Sequence, residues 1–299
     1  MENKKLIALL ARLHDRRGID FTQYKPSTLE RRISARMLKN GFSSYEEYGA
    51  FLDKNPQECV ELIDSITINV TDFFRNDESF EALEKQVIPE ILGVKNSKGH
   101  RLLRVWSCGC SEGDEPYSIA MLLDGALEND RRDLIITIYG TDVDQRAIEK
   151  AKKAVYDGKR IEGIGSRLRK KYFNETEADR YSLKDVIRQM VTFRVHDVVN
   201  DKPFLNCDLI LCRNLLIYFN KQLQEEVLLK FRECLSPGGF LVLGMTESLV
   251  GSAMNGFIPV NNRLRIYRRP FEEKVDIRTA EKLTQEQVDR IVKELVGRR

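Results

Sequence analysis

Acidic residues and glycines are concentrated in a short loop that follows a predicted apolar strand over residues 102–106. A helix with an apolar face is expected over 116–127, and a second strand over 134–139 is followed by Asp142. This order of elements is typical of a nucleotide-type binding unit: a strand, a glycine-containing turn, a helix and a second strand followed by an acid. The loop's glycines and carboxylates are Gly109, Glu112, Gly113, Asp114 and Glu115.

The chemistry of this loop favours a ligand that carries a positive charge. Its carboxylates would repel a pyrophosphate, and residues 107–118 contain neither Lys nor Arg. Asp142 stands where an acid accepts hydrogen bonds from ribose hydroxyls. S-adenosylmethionine has both a ribose and a positive charge, so we expect this cofactor and its product S-adenosylhomocysteine to bind here.

Strands and helices alternate from about residue 76 onward. Such alternation favours a mostly parallel sheet covered by helices on both faces. The last two predicted strands have no helix between them, which indicates an antiparallel pair at the sheet edge. The further strands are expected over 191–195, 208–212, 240–244 and 264–267, and the further helices over 77–92, 145–155 and 221–235.

Residues 1–75 are predicted to be helical, with helices over 4–16 and 26–39 and two more that begin after Ser44 and at Pro56. Ser44 opens a capping box for the third helix. In the second helix the apolar residues Leu29, Ile33 and Met37 are expected to form the buried face.

Positive charge is concentrated at the beginning of the chain. The net charge is +3, but residues 1–40 contain ten Lys or Arg and four Asp or Glu. Arg32, Arg36 and Lys39 recur at i, i+4 and i+7, so they share one stripe of the second helix. We expect this stripe to lie opposite the apolar one and to dock an acidic partner.

Length and composition indicate a cytoplasmic protein of two domains. The 299 residues can bury a large core. Apolar runs fall short of the roughly 18 residues of a membrane span, and no cleavage site follows the first apolar residues. Six cysteines without paired CxxC units and three scattered histidines argue against a metal site.

Four motifs together resemble one family, the chemotaxis receptor glutamate O-methyltransferases (CheR-type). Each motif alone is weak, but the four stand in the family's order, and the match including the helical leader covers about residues 5–270. They are Asn-Val-Thr-Asp-Phe-Phe-Arg at 69–75, Val-Trp-Ser at 105–107 with Gly-Asp-Glu-Pro-Tyr-Ser-Ile-Ala at 113–120, Thr-Asp-Val-Asp at 141–144, and Cys-Arg-Asn-Leu-Leu-Ile-Tyr-Phe at 212–219.

The resemblance implies an α/β fold. Its parts are a Rossmann-like S-adenosylmethionine-dependent methyltransferase sheet, a small N-terminal all-helical domain and a small antiparallel β insertion. The expected domains are a helical substrate-docking domain with its linker over 1–75 and a methyltransferase domain over 76–270, with the insertion at about 170–193. Residues 271–299 would form a linker and an amphipathic helix.

The resemblance also implies the cofactor-binding residues. Asn69, Thr71 and Arg75 would reach the cofactor from the linker between the domains, and Glu115 would pair with its positive methionyl end. Asp197 and Val198 would flank the adenine, although His196-Asp197-Val198 departs from the family's usual Asn with an apolar neighbour. The expected set is Asn69, Thr71, Arg75, Glu115, Asp142, Asp197, Val198, Arg213 and Asn214.

Arg75 and Tyr218 are the expected catalytic residues. The Arg75 guanidinium could pair with a carboxylate of the cofactor or the substrate, and the Tyr218 hydroxyl would lie beside the transferred methyl group. The implied substrate is a glutamate in the cytoplasmic helical region of methyl-accepting chemotaxis receptors. A glutamate has a pKa near ~4.3 and is already an ionised nucleophile at neutral pH, so alignment and removal of water would suffice.

Some family members use the β insertion to bind a peptide at the receptor's C-terminus. Residues 173–181 of this chain, which include the insertion's turn, are acidic and contain no glycine. The close backbone approach that glycine permits is therefore missing, and the acids would oppose an acidic peptide. We expect no C-terminal receptor peptide tether, and we expect a monomer.

Other functions are less well supported. A nicotinamide oxidoreductase would carry G-x-G-x-x-G with an acid about 20 residues further on, whereas Asp142 lies 33 residues beyond Gly109. A nucleic-acid methyltransferase could use the basic N-terminal segment but would carry Asn/Asp-Pro-Pro-aromatic where this chain has Arg213-Asn214-Leu215-Leu216, so no nucleic acid is expected. A small-molecule methyltransferase and a cofactor-binding receptor module without catalysis stay open.

Overall fold

The computed structural model describes residues 2–271 except 18, 68, 70, 129–133 and 178. The linker and helix predicted beyond residue 271 therefore lie outside the described residues. The α-helices are α1 (Glu2–Arg17), α2 (Pro26–Lys39), α3 (Tyr45–Lys54), α4 (Pro56–Ile66), α5 (Asp77–Ala82), α6 (Ile88–Lys98), α7 (Asp114–Leu127), α8 (Gln145–Lys153), α9 (Gly158–Ile161), α10 (Ser166–Tyr172), α11 (Asp185–Arg188) and α12 (Lys221–Cys234).

Ten strands occur in the described part of the chain, and short helical turns complete the set. A π-helical turn, Leu83–Val87, joins α5 to α6, and 3-10 turns cover Leu216–Tyr218 and Gly251–Gly256. The strands are β1 (Leu102–Cys108), β2 (Ile135–Asp142), β3 (Val155–Asp157), β4 (Phe173–Glu177), β5 (Arg180–Leu183), β6 (Val191–Val195), β7 (Cys207–Cys212), β8 (Leu235–Leu243), β9 (Ile258–Asn261) and β10 (Ile266–Arg268).

A seven-stranded sheet in the order β6-β2-β1-β7-β8-β10-β9 forms the centre of the larger domain. Neighbours from β6 to β8 are parallel, and β10 is antiparallel to both β8 and β9. The α/β fold and the late antiparallel pair are thereby confirmed. The strand order reverses between β1 and β7, and a ligand crevice forms outside the carboxyl ends of strands at such a point.

The insertion is a three-stranded antiparallel sheet in the order β3-β5-β4. It is present as predicted, but its first strand, β3, lies before the predicted boundary at residue 170, and residues 191–193 belong to β6 of the main sheet. With only three residues, β3 is too short to show a strand period. Asp179 turns the chain between β4 and β5 at φ +60°, a backbone conformation that Asp tolerates.

The four N-terminal helices form the helical domain, and Leu29, Ile33 and Met37 of α2 are buried as predicted. Two of the three residues of the predicted basic stripe on α2 contact α4, and the docking role of the stripe stays a prediction. Arg36 donates from Nε and Nη2 to both carboxylate oxygens of Glu58 at 2.6 and 2.7 Å, and Arg32 donates to the Ser65 carbonyl at 2.7 Å. Both residues face α4. The sequence could not predict this contact, because helix periodicity shows which positions share a stripe but not which element packs against that stripe. Lys39 is exposed.

The helical domain packs against the carboxyl end of the sheet. Tyr24 forms an isolated antiparallel bridge with Phe219, and the Lys25 amide donates to the Tyr218 carbonyl at 2.8 Å. Buried side chains of α1 to α4 and of α12 belong to one continuous core. The two domains therefore meet directly beside Tyr218. Among the described helices, the apolar segments are too short to cross a membrane.

Candidate active site

A cleft lies at the carboxyl ends of β1, β2 and β7, where the helical domain meets the sheet. It is the place at which an α/β sheet of this topology binds its ligand. Its lining residues are Tyr24, Ile66, Thr67, Asn69, Thr71, Asp72, Arg75, Gly109, Cys110, Ser111, Glu115, Asp142, Val143, Arg213, Asn214, Leu215, Ile217 and Tyr218.

The loop between β1 and α7 is held by the end of β2. The amides of Gly109 and Cys110 both donate to the Thr141 carbonyl, at 2.8 and 2.9 Å. Gly113 has φ +93°, and a Cβ there would stand 2.9 Å from that of Ala151. Glycine is therefore required at this position by the backbone conformation and by the close approach of α8.

Asp142 lies at the end of β2 and lines the cleft, as the sequence predicts. Its two oxygens accept from the amides of Ser111 at 2.9 Å and Asp144 at 3.0 Å. Burial raises the pKa of Asp142 to about 6, although these hydrogen bonds act in the opposite direction. The carboxylate is thus held in a fixed orientation, with capacity left for further hydrogen bonds.

Glu115 lies in the first turn of α7, where the helix dipole stabilises a negative charge. It accepts from the Ser107 hydroxyl at 2.8 Å and from Arg213 at 3.2 Å. A further Arg213 nitrogen donates to the Arg75 carbonyl at 2.7 Å and to the Asn76 side chain at 2.8 Å. Arg213 therefore positions both Glu115 and the backbone that carries Arg75.

The loop's other two carboxylates point away from the cleft. Arg160 donates from Nε and Nη2 to both oxygens of Asp114 at 2.8 Å and from Nη1 to Glu112 at 2.8 Å. Neither acid lines the cleft. The expectation that the loop's acids together attract a positive ligand therefore holds for Glu115 and not for Glu112 or Asp114. The sequence could not distinguish them, because the partner cation lies in the insertion.

The linker of residues 69–75 is fastened to the loop and to α7. The Asn69 amide donates to Asp144 at 2.5 Å and accepts from the Ser111 hydroxyl at 3.1 Å. The Phe74 amide donates to the Ser118 hydroxyl at 3.0 Å. Asn69, Thr71 and Arg75 all line the cleft, so the structure brings the predicted linker residues together at one site.

The loop after β7 carries Asn214 and Tyr218, and a residue that sequence reasoning missed holds it in place. Glu247 accepts from the amides of Gly244 at 2.7 Å, Asn214 at 2.8 Å and Ile217 at 3.2 Å. Asn214 has φ +61°, which Asn adopts more easily than most residues. Glu247 is buried and burial raises its pKa. No sequence pattern indicates its role, since two of its partners, Asn214 and Ile217, lie on another segment.

Tyr218 is half-buried beside two arginines. Burial raises the pKa of its hydroxyl, whereas the positive charges of Arg32 and Arg75 lower it. Arg75 lines the cleft with Tyr218, whereas Arg32 of the helical domain is not among the lining residues. A carboxylate would find favourable electrostatics here.

Asp197 and Val198 are not among the residues that line the cleft. Asp197 accepts from the Val199 amide at 2.8 Å and the Asn200 side chain at 2.9 Å, and Val198 is part of the core. Their contact with the adenine therefore stays a prediction. Tyr24 lines the cleft instead, and its pKa is raised by burial first and then by Asp197 and Asp142. No sequence pattern indicates a role for Tyr24, because its position depends on how the two domains pack.

The cleft residues fit S-adenosylmethionine. Asp142 could accept from ribose hydroxyls, Glu115 could pair with the methionyl ammonium group, and Arg75 could pair with a carboxylate of the cofactor or of the substrate. Among the described residues, no group of three or more His, Cys, Asp or Glu is arranged to hold a metal ion.

Comparison with known proteins agrees with this assignment. Residues 69–265 match the model of the CheR methyltransferase SAM binding domain, and residues 4–67 match that of the CheR all-alpha domain. The chemotaxis protein methyltransferase of Borreliella burgdorferi is 32% identical over 256 residues, which cover 83% of this chain and 89% of that protein.

Two further relatives show the same degree of similarity. The chemotaxis protein methyltransferase of Listeria monocytogenes is 35% identical over 82% of this chain and 90% of its own length. Chemotaxis protein methyltransferase Cher2 of Pseudomonas putida is 33% identical over 78% of this chain and 86% of its own length. The resemblance, the fold and S-adenosylmethionine as the cofactor are thereby confirmed, and the chain belongs to the CheR family of S-adenosylmethionine-dependent methyltransferases of chemotaxis.

Proposed function

We propose that this protein methylates glutamate side chains in the cytoplasmic helical region of methyl-accepting chemotaxis receptors and so forms glutamate methyl esters. The observation that carries the proposal is that Arg75 and Tyr218 line the same cleft as Asp142 and Glu115, the proposed cofactor contacts. A carboxylate is the nucleophile that this arrangement would attract. The names of the relatives, chemotaxis protein methyltransferases, point to receptors as its source.

The chain's own residues would orient the reactants. S-adenosylmethionine supplies a methyl group that is already activated by its sulfonium charge. Arg75 would hold the incoming carboxylate, which is ionised at neutral pH because a glutamate pKa is near ~4.3. Tyr218 would fix the carboxylate's direction through its hydroxyl, and the helical domain would exclude water from the cleft. The remaining proposed cofactor contacts are those of Asn69, Thr71, Asp197, Val198, Arg213 and Asn214.

We propose α2 as the surface that docks the receptor. Lys39 is exposed, and Arg32 lies near Tyr218, so both could meet an acidic receptor helix. Arg36 is occupied by Glu58 and would act by holding α2 in position. A basic surface would steer the receptor and set its register more than it would add affinity. We further propose that the protein acts in the cytoplasm as a monomer, without nucleic acid and without a C-terminal tether.

Methyl transfer to receptor-containing membranes tests the proposal. Methyl-labelled S-adenosylmethionine should label the receptor, and mild alkali should release the label because a glutamate methyl ester is hydrolysed there. Asp142→Ala serves as the control that lacks the proposed ribose contact. Alkali-stable label would indicate methylation of nitrogen, and label on DNA or RNA would support the nucleic-acid alternative. Binding of S-adenosylhomocysteine without any transfer would support a non-catalytic module.

A further inference from the structure

The β insertion contacts two segments that contribute residues to the cleft, the loop after β1 and the linker of residues 69–75. Its helix α9 carries Arg160, and the neighbouring Tyr156 hydroxyl donates to the Glu112 carbonyl at 3.0 Å. The Tyr156 and Phe173 rings pack edge-on against Phe73 of the linker, with centroids 4.9 and 5.6 Å away. The insertion therefore touches both the loop and the linker that line the cleft.

Arg160 forms ion pairs with two acids of the loop, Asp114 and Glu112. Asp114 is fully buried, and both of its carboxylate oxygens receive hydrogen bonds from the fork of Arg160 at 2.8 Å. The third nitrogen of Arg160 reaches Glu112, which Lys150 of α8 also contacts at 2.7 Å. A bidentate pair of this kind fixes orientation as well as adding energy.

The two acids that Arg160 holds lie between Ser111 and Glu115, two residues that line the cleft. Glu112 directly follows Ser111, whose amide holds Asp142 and whose hydroxyl holds Asn69. Asp114 directly precedes Glu115, which lines the cleft. A shift of Glu112 or Asp114 would therefore move Ser111 and Glu115 together, and with them the orientation of Asp142.

We propose that Arg160 is a positioning residue for cofactor binding, through which the β insertion holds the 109–115 loop in its binding conformation. The residue does not line the cleft itself. Its effect should therefore appear in the affinity for S-adenosylmethionine and not in the rate of methyl transfer once the cofactor is bound. The proposal rests on the S-adenosylmethionine site and not on the receptor substrate, so the two can fail separately.

Arg180 of the same insertion offers a matched control. Arg180 lines the same hollow as Glu112 and Arg160, but among the described contacts its ion pair is a long one, 3.7 Å to Asp157, and its side chain is 53% exposed. Arg160→Gln and Arg180→Gln remove the same charge from the same insertion. Affinity for S-adenosylhomocysteine, measured by calorimetry, should fall at least about fivefold in Arg160→Gln and change less than about twofold in Arg180→Gln.

Steady-state kinetics and folding complete the test. In Arg160→Gln the KM for S-adenosylmethionine should rise with the loss of affinity, while kcat at saturating cofactor stays within about twofold. Circular dichroism well below the melting temperature shows whether the variant is folded. A folded Arg160→Gln that binds S-adenosylhomocysteine as the unmodified protein does would overturn the proposal.

Two milder variants apply if Arg160→Gln does not fold. Arg160→Lys keeps a charge for Asp114 but loses the fork, and Glu112→Gln keeps the pair with Asp114 while weakening the second contact. Each should weaken S-adenosylhomocysteine binding by an intermediate factor. Unchanged affinity in both folded variants would assign Arg160 to stability alone.

Discussion

At the residue scale, the two carboxylates of the cleft are prepared for different partners by their surroundings. Glu115 is already paired with Arg213 and with the Ser107 hydroxyl, so its negative charge is partly compensated before any ligand arrives. Asp142 receives two backbone amides and no side-chain cation in the described contacts. Burial is therefore the dominant influence on Asp142 and raises its pKa to about 6.

This raised pKa predicts that cofactor affinity depends on pH. Below about 6 the free protein carries a protonated Asp142, and a ribose that donates to the carboxylate must displace that proton. Affinity for S-adenosylhomocysteine should be constant above about pH 7 and should fall by up to about tenfold per unit below 6. Calorimetry from pH 5 to 8 measures this, and Asp142→Asn should bind more weakly but without that decline. A decline of equal size in Asp142→Asn would assign the titration to another group.

Tyr218 and Arg75 should affect turnover more than stability. Tyr218 is half-buried and both residues line the cleft, so Tyr218→Phe and Arg75→Ala leave the core intact. We expect each to lower kcat by about tenfold or more, which corresponds to ~1.4 kcal/mol of lost transition-state stabilisation. Melting temperature serves as the control. A loss of activity that merely follows the loss of fold would place both residues among the structural ones.

The residues that the sequence identified and those it missed differ in one physical respect. Asp142 and Glu115 follow from local order, since one stands at a strand end and the other at a helix start. Tyr24 and Glu247 reach the site region through contacts between distant parts of the chain. Tyr24 pairs with Phe219, and Glu247 accepts from the Asn214 amide. Single-sequence patterns carry no information about such pairings, whereas motif resemblance located Asn69, Thr71 and Arg75.

At the scale of elements, length decided what could be predicted. Helices such as α2 and α12 show several turns of 3.6-residue periodicity, and their observed limits fall close to the expected ones. Strands β3 and β9 have three and four residues, which is too short for a period-2 pattern, and β9 contains Pro259, which is typical of an edge. The sequence also could not predict which element packs against a given helix face, as the pairing of Arg36 with Glu58 of α4 shows.

The Arg36–Glu58 pair should contribute to the stability of the helical domain. Both side chains are largely buried, and Glu58 also accepts from the Tyr48 hydroxyl at 2.7 Å. Arg36→Met would leave Glu58 without its cation, and we expect the free energy of unfolding to fall by about 3 kcal/mol. Lys39→Met on the same helix should change it by less than ~0.5 kcal/mol. Urea unfolding of both variants measures the difference, and equal values would contradict the prediction.

The docking role of α2 can then be tested without disturbing its packing. Lys39→Glu reverses an exposed charge, whereas Lys54→Glu makes the same change at the end of α3. Receptor methylation at low salt should fall several-fold in Lys39→Glu, and the difference from Lys54→Glu should shrink as salt is raised. S-adenosylhomocysteine affinity should be unchanged in both. Equal methylation by the two variants would remove Lys39 from the receptor interface.

At the scale of the whole molecule, three parts converge on one cleft. The sheet supplies Asp142 at its carboxyl edge, the helical domain supplies Tyr24 and places Arg32 near Tyr218, and the insertion holds the loop through Arg160. The insertion thus has a structural connection to cofactor binding that requires no receptor peptide. Its presence alone is therefore no sign of a tether.

The insertion should not bind a C-terminal receptor peptide. In the described sheet β4 lies at an edge, where a peptide could in principle add a strand. Its exposed side chains include Glu175 and Glu177, and the turn beyond it contains Asp179 at φ +60°. An acidic peptide with a free carboxylate would meet these charges and a turn without glycine, so like-charge repulsion opposes the addition of a strand.

Titration with C-terminal receptor peptides should show no saturable binding below about 100 μM. The charge-reversed variant Glu175→Lys/Glu177→Lys provides the control, because it removes the repulsion but keeps the edge. Saturable low-micromolar binding to the unmodified protein, lost in a variant with an altered β4, would contradict this and restore the tether.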